Sequence, residues 1–288
     1  MKPSAHHDEH YDIDVSTTDG RRHQRAYRAE RREARKAMLS VSQKAYEALH
    51  KARKQRASAN GRGYQPSKNH PGWTALRVKQ DGSYDQLPPF LNTVFKACRE
   101  FIDNPQRFPM LAKWACMQRK DTRTNVAKVL VVLLARCDLI EGRVGVPTEE
   151  GMSTLSHDEL MKEYVLRWGE MIEDSKYYKI MRRLRDAGIL SSLSIRIEIP
   201  GCEEKTYRSA ASFKQLSLQF FQELNVTSYP NIAIAIHNNR AQAQNKGLFF
   251  HWIEYARYAS QLILNTTATL LNETATPVTP LPMSLSPT

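Results

Sequence analysis

Residues 156–199 constrain the fold most, because two short helices with clear boundaries are followed there directly by an alternating strand. The first helix begins after Ser156, and Glu159 three positions later completes a capping box. Gly169 is expected to end this helix, because glycine readily adopts the left-handed conformation found after helix C-termini. The next cap, at Asp174, follows after a short gap. The pattern predicts a helix-turn-helix.

The second helix, capped at Asp174 or Ser175, is predicted to have one apolar face and one cationic face before it ends at Gly188. The apolar residues that recur at helical spacing are Tyr177, Ile180, Met181, Leu184 and Ala187. The opposite face carries the residues that we expect to contact DNA, namely Ser175, Lys176, Lys179, Arg182 and Arg183. The cations are predicted to enter or flank the major groove, and Ser175 is placed near a phosphate.

The residues after this helix predict a β-hairpin. Leu193, Ile195 and Ile197 alternate with polar residues, which is the period of a strand, and Pro200-Gly201 marks a turn. Residues 206–216 are then predicted to return as the partner strand, followed by a short helix capped by Ser217. This hairpin would be a wing, with two basic residues placed to meet backbone phosphates, Lys205 and Arg208.

Two elements before residue 156 complete the predicted domain. An apolar run after Asn125 predicts a core helix that continues to Cys137, and residues 143–147 predict a short strand. Helix, strand, helix, basic helix and hairpin is the order of a winged helix. We therefore predict a mainly α fold with a small β component (α+β), with a central winged helix-turn-helix over residues 124–226 that binds double-stranded DNA.

Residues 21–56 carry most of the net charge of the 288-residue chain, which is +12. This segment has thirteen basic residues against three acidic ones, and it lacks Pro and Gly, so a cationic helix is favoured. We predict an arm that contacts DNA phosphates, although a solvated helix and an acidic membrane surface are alternative interpretations. The arginines assigned to phosphate contact are Arg25, Arg28, Arg32 and Arg35.

Shifts in composition divide the chain into six predicted parts. Pro and Gly are dense between residues 57 and 86, and the last residues are rich in Thr and Pro. The predicted parts are a disordered acidic tail (1–20), the basic helical arm (21–56), a linker (57–86), the winged-helix DNA-binding domain (87–228), a C-terminal helical extension (229–265) and a disordered tail (266–288).

We find no pattern typical of an enzyme, a metalloprotein or a membrane protein. No glycine-rich phosphate loop is present, and the four cysteines lack metal-ligand spacing, which predicts reduced thiols and no metal or other cofactor. Tyr177 falls on the inner face of its helix, which argues against a nucleophilic role. Without a signal peptide or a long apolar run, the chain is expected to be soluble and cytoplasmic.

Three segments resemble the winged-helix region of plasmid replication initiator proteins, particularly the RepA type of IncFII-like plasmids. The first is the strand entered at Arg143-Val144 together with the helix at His157. The second is residues 175–190, which close on Asp-Ala-Gly-Ile-Leu, and the third is residues 216–226, with their Phe-Phe pair. Two features depart from the family pattern, namely an insertion at residues 147–155 and a basic region at the N-terminus.

The resemblance implies a protein without catalytic residues that binds a plasmid origin and recruits the host replication machinery. Host replication proteins and a second copy of the chain are further partners that this interpretation allows. A winged-helix transcriptional repressor would use the same residues. A third alternative is a non-enzymatic module that uses the winged helix for dimerisation or for binding another protein.

Overall fold

The chain is mainly helical with two small antiparallel sheets, in the residues that a computed structural model describes, 18–64, 70–198 and 207–254. The helices are α1 (Thr18–Ala59), α2 (Leu91–Asp103), α3 (Pro109–Ala112), α4 (Lys120–Leu134), α5 (His157–Trp168), α6 (Asp174–Asp186), α7 (Leu218–Leu224) and α8 (Pro230–Asn245). The strands are β1 (Leu76–Val78), β2 (Tyr84–Gln86), β3 (Arg143–Thr148), β4 (Gly151–Thr154), β5 (Leu190–Glu198) and β6 (Tyr207–Leu216). The predicted tail at 266–288, most of the tail at 1–20, and the turn at Pro200-Gly201 lie outside these ranges.

The predicted core helix corresponds to α4, which packs against α2 and is buried from Val129 to Leu134. It begins at Lys120, five residues before the predicted cap at Asn125. The side chain of Arg123 explains the earlier start. Its guanidinium is buried and donates to the carbonyl oxygens of Ile102 (2.8 Å) and Met117 (2.7 Å), so it stabilises the turn that leads into α4.

The two helices predicted from residue 156 onward are present as α5 and α6. Ser156 and Glu159 form the capping box, and Gly169 ends α5 with φ = +62°. An added Cβ at Gly169 would also lie 3.2 Å from the Tyr46 ring, so both the backbone and the packing favour glycine there. The prediction for α6 is corrected by one position, because Glu173 is the N-cap and Asp174 is the first helical residue.

Four antiparallel strands form the larger sheet in the order β4-β3-β6-β5. The predicted hairpin is present, with Leu190 opposite Leu216 at its base and an irregular register at Leu193. Strand β4 lies within residues 147–155, and it pairs with β3 through a tight turn between Thr148 and Gly151. This segment therefore adds an edge strand to the sheet.

Two predicted boundaries differ from the structure. Residues 71–86, predicted as part of a linker, form a 3-10 turn and the β1–β2 hairpin, in which Trp73, Leu76 and Val78 are buried. The C-terminal extension, predicted as helical over residues 229–265, is helical only from Pro230 to Asn245 among the described residues, which end at 254. After Gly247 the chain runs along the larger sheet, where Phe249 forms a bridge to Thr148, and Phe250 and Ile253 are buried.

Helix α1 is docked along α5. Ser42 Oγ donates to the carbonyl oxygens of Val165 (3.0 Å) and Leu166 (3.1 Å), and the Tyr46 hydroxyl donates to the carbonyl of Arg167. The Leu166 and Arg167 carbonyls belong to the last turn of α5, where helix carbonyls lack intrahelical donors, and the Val165 carbonyl also accepts from the N–H of Gly169 (2.9 Å). The predicted arm is therefore packed on the globular part along its middle.

The ring of His70 lies in the contact between α1 and α5, and it makes stability depend on pH. It packs against Tyr46 and Trp168, and its Nδ1 accepts from the backbone N–H of Gly72 (3.0 Å). Burial, reinforced by the charge of His50, lowers the pKa of His70 to about 4 from an ordinary 6.5. Between these two pH values the unfolded chain takes up a proton that the folded chain does not.

We therefore expect the free energy of unfolding to fall as the pH is lowered from 6.5 to 4, by up to about 3 kcal/mol from this group. Urea unfolding at several pH values measures this change in the free energy of unfolding. His70→Asn is the control, because its amide retains an acceptor for Gly72 but does not titrate. The advantage of the wild-type chain over this variant should shrink toward pH 4, and a constant difference would contradict the assignment.

Candidate nucleic-acid interface

Helix α6 presents a cationic row to solvent because its apolar residues recur at helical spacing on the opposite side. Tyr177, Ile180, Met181 and Leu184 are buried, and Ala187 just after the helix is buried with them, as the sequence predicts. The side chains on the other face are exposed at Ser175, Lys176, Lys179 and Arg182, and half-buried at Arg183. None of these four cations forms an ion pair with any described residue.

The first turn of α6 packs against the start of α5. The His157 ring, at the start of α5, lies edge-on to Tyr177, and its Nδ1 is 3.2 Å from the Tyr177 hydroxyl. No side chain caps the helix, so the backbone N–H groups of Asp174, Ser175 and Lys176 lack partners within it. Such amides favour an anion at a helix N-terminus.

Helix α1 adds a second exposed cationic surface. Arg25, Arg28 and Arg32 are exposed, as the arm prediction requires, and none forms an ion pair with a described residue. Some basic residues elsewhere in the chain form ion pairs within the protein instead. Arg77 and Arg136 both contact the Glu163 carboxylate on α5, whose pKa is raised by burial. These three arginines of α1 and the four cations of α6 are thus available to an external anion.

Arg35 corrects the arm prediction, because its guanidinium is not available for a phosphate on the surface. The side chain is only 2% exposed, and Nη2 lies 2.8 Å from the Asp174 carboxylate at the start of α6. Its Nη1 donates to Met161 Sδ on α5 (2.8 Å). A charge this deeply buried requires a partner, so Arg35 joins the two cationic helices.

The structure gives little information on the two basic residues predicted for the wing. Lys205 lies outside the described residues, and for Arg208 the structure gives the backbone position alone, in β6 opposite Ile197. The remaining described lysine of the hairpin, Lys214, is fully buried and donates to the carbonyl oxygen of Leu155 (2.8 Å). Lys214 therefore supports the fold of the sheet and does not face solvent.

Sequence reasoning missed the junction between α1 and α6. Asp174 was assigned as a helix cap, but its carboxylate binds Arg35 instead. Arg31, beside it on α1, lies over the Tyr27 ring (4.4 Å) and 3.8 Å from the buried Asp158 carboxylate. The spacing Arg28, Arg31, Arg35 places three arginines on one helical face, which is the signal that could have found this junction.

Within the described ranges, no cluster of His, Cys, Asp or Glu is suited to hold a metal ion. The thiols of Cys98, Cys116 and Cys137 are unpaired, and burial raises the pKa of Cys98 to about 12. No helix among the same residues is long and apolar enough to cross a bilayer. A scan against protein-family models gives no match, and searches of curated proteins and of solved structures give none either.

Proposed function

We propose that residues 124–226 form a winged helix-turn-helix, with α6 as its recognition helix and the β5–β6 hairpin as its wing. The element order supports this assignment, since α4, β3, α5, α6, β5 and β6 follow one another as in that fold. The sheet supports it as well. Strand β6 lies between β3 and β5, so the hairpin that follows α6 is anchored to the strand that precedes α5.

The ligand of this domain, in our proposal, is double-stranded DNA. The observation that carries it is the set of exposed or half-buried cations without ion-pair partners on α6 and α1. Apolar spacing on α6 points Lys179 and Arg182 outward on a rigid helix, as reading of base edges in a major groove requires. The cations of α1 would contact phosphates and supply affinity that does not depend on sequence.

The biological role we propose is initiation of plasmid replication, which rests on the resemblance of residues 143–226 to RepA-type initiators. Repression of transcription through the same helix is the second candidate. Footprinting on the DNA that adjoins the gene would locate the site, and a plasmid that lacks the gene separates the two roles. An initiator is needed for replication of that plasmid, whereas a repressor is not.

The DNA-binding proposal predicts that the full chain binds a labelled 20-base-pair duplex with an affinity that falls steeply as salt rises. Each phosphate neutralised contributes about −0.9 to the slope of log K against log salt concentration. Fluorescence anisotropy at several salt concentrations measures this slope. Absence of binding even at low salt would overturn the proposal and favour the protein-binding or dimerisation module.

A further inference from the structure

A cavity of about 250 Å³ lies where α1 meets the start of α6. Its walls are formed by three arginines of α1, by Met161 of α5, and by three residues of the first turns of α6, in full Arg28, Arg31, Arg35, Met161, Asp174, Ser175 and Tyr178. The cavity is smaller than the roughly 300–1,000 Å³ of most drug-sized ligand sites. It is large enough to admit a small anionic group such as phosphate.

The charges on the cavity wall favour an anion. Three arginines face one carboxylate, and that carboxylate, Asp174, is already bound to Arg35 at 2.8 Å. Arg28 forms no ion pair with a described residue. The contact of Arg31 with Asp158 is long, at 3.8 Å, and Lys162 lies closer to the same carboxylate, at 2.9 Å. The guanidinium groups of Arg28 and Arg31 can therefore bind an incoming anion.

Two further groups at the cavity lack hydrogen-bond partners. The Nε of Arg35 is buried and has no acceptor, although the rest of this guanidinium is satisfied. A buried donor without an acceptor is unfavourable, so an acceptor brought to this point by a ligand would be stabilised. The backbone N–H of Ser175 belongs to the uncapped first turn of α6, where intrahelical acceptors are absent.

We propose that this cavity binds a single phosphate group, held by Arg28 and Arg31 and by the first turn of α6 at Ser175. A phosphate has several oxygens and can accept from planar guanidinium groups and from a backbone N–H at the same time. The identity of the phosphate as one in a DNA backbone rests on the proposed function. In that case α1 and α6 contact the same DNA strand, and the site determines the orientation of α6 in the major groove.

The test uses the full chain labelled with ¹⁵N, so that the amides of Ser175 and Lys176 report on the cavity. Inorganic phosphate is titrated at constant ionic strength, with chloride as the compensating anion. We expect these amides to shift and saturate in the wild-type chain. Binding should weaken by about tenfold or more in the Arg28→Gln/Arg31→Gln variant, because charge-assisted hydrogen bonds are lost.

The matched control replaces Lys51 and Lys54, two exposed cations near the other end of α1, by Gln and should leave the phosphate titration unchanged. A 12-base-pair duplex is then added to the phosphate-loaded chain. Displacement of phosphate assigns the cavity to a DNA backbone phosphate. If the duplex binds elsewhere without displacement, the cavity is a site for a free phosphate compound.

Absence of saturable shifts, or equal titrations in the wild-type chain and in Arg28→Gln/Arg31→Gln, would overturn the phosphate site. Duplex binding is followed in the same samples by anisotropy, so the two proposals can fail separately. A chain that binds duplex but not phosphate loses only the cavity proposal. A chain that binds phosphate but no duplex keeps the cavity and loses the DNA-binding function.

Discussion

Replacing Arg25, Arg28 and Arg32 by Gln should weaken duplex binding on the order of a hundredfold at about 0.1 M salt. All three side chains are exposed, none forms an ion pair with a described residue, and Arg28 lines the cavity at the start of α6. If each contacts one phosphate, the slope of log K against log salt concentration should become less steep by up to about 2.7. Anisotropy titrations over a range of salt concentrations measure both effects.

The matched control removes the same charge from the other end of the helix, at Lys51, Lys54 and Arg56, which are also exposed. These residues lie about 35–42 Å along the axis from Arg28. This control set should change affinity only slightly. Equal losses in the two variants would show that α1 acts through net charge and not through a defined contact. Deletion of α1 is a poorer test, because it would uncover Leu76, Val78 and Leu166.

Removal of the Asp174 carboxylate by substitution with Ala should destabilise the chain by about 2 kcal/mol. The loss leaves the Arg35 guanidinium, which is 2% exposed, without its ion-pair partner. The estimate is below the roughly 3–5 kcal/mol typical of fully buried pairs, since Asp174 itself is 40% exposed. Urea unfolding with two-state analysis gives the free energy.

Substitution of the other partner of the ion pair, Arg35→Met, should lower the free energy of unfolding by less than Asp174→Ala does. It removes the buried charge, keeps an unbranched side chain against Met161, and leaves a carboxylate that water can solvate. The double variant should therefore be about as stable as Arg35→Met alone. Additive costs, or a larger cost for Arg35→Met, would contradict the role of Arg35 as a buried cation held by Asp174.

The helix pair α5–α6 could be predicted from the sequence because local chemistry determines its boundaries. Ser156 and Glu159 start α5 through contacts three residues apart, and Gly169 ends it through its own backbone freedom. The buried face of α6 could also be predicted, since Ile180 and Leu184 follow the helical period. Each of these features depends on neighbours within one or two turns.

Much of the docking of α1 could not be predicted, because many of the residues that hold it are polar. Arg35, Ser42 and Tyr46 are buried through hydrogen bonds and an ion pair to α5 and α6, more than a hundred residues away in the chain. Apolar side chains of this helix contribute as well, since Met38 and Ala45 pack against the cluster that includes Leu166. Periodicity identifies apolar faces and misses faces that are buried by specific polar partners.

The short strands β1 and β4 could not be predicted for a different reason. Strand β1 has three residues, of which Leu76 and Val78 are buried, and so brief an alternation cannot be distinguished from a loop. Strand β4 begins directly after a tight turn, in a segment where Gly151 and Ser153 weaken the strand pattern. Pairing with a neighbouring strand defines both elements.

Substitution of Lys179, Arg182 and Arg183 by Gln tests the central claim most directly, because these residues belong to the cationic row of α6, exposed at Lys179 and Arg182 and half-buried at Arg183. The measurement is the ratio of affinities for the footprinted site and for a scrambled duplex, compared with the Lys51, Lys54 and Arg56 control set. If α6 is a recognition helix, the ratio of the two affinities should fall to about one in the α6 variant and stay unchanged in the control. An unchanged ratio in the α6 variant would contradict the account.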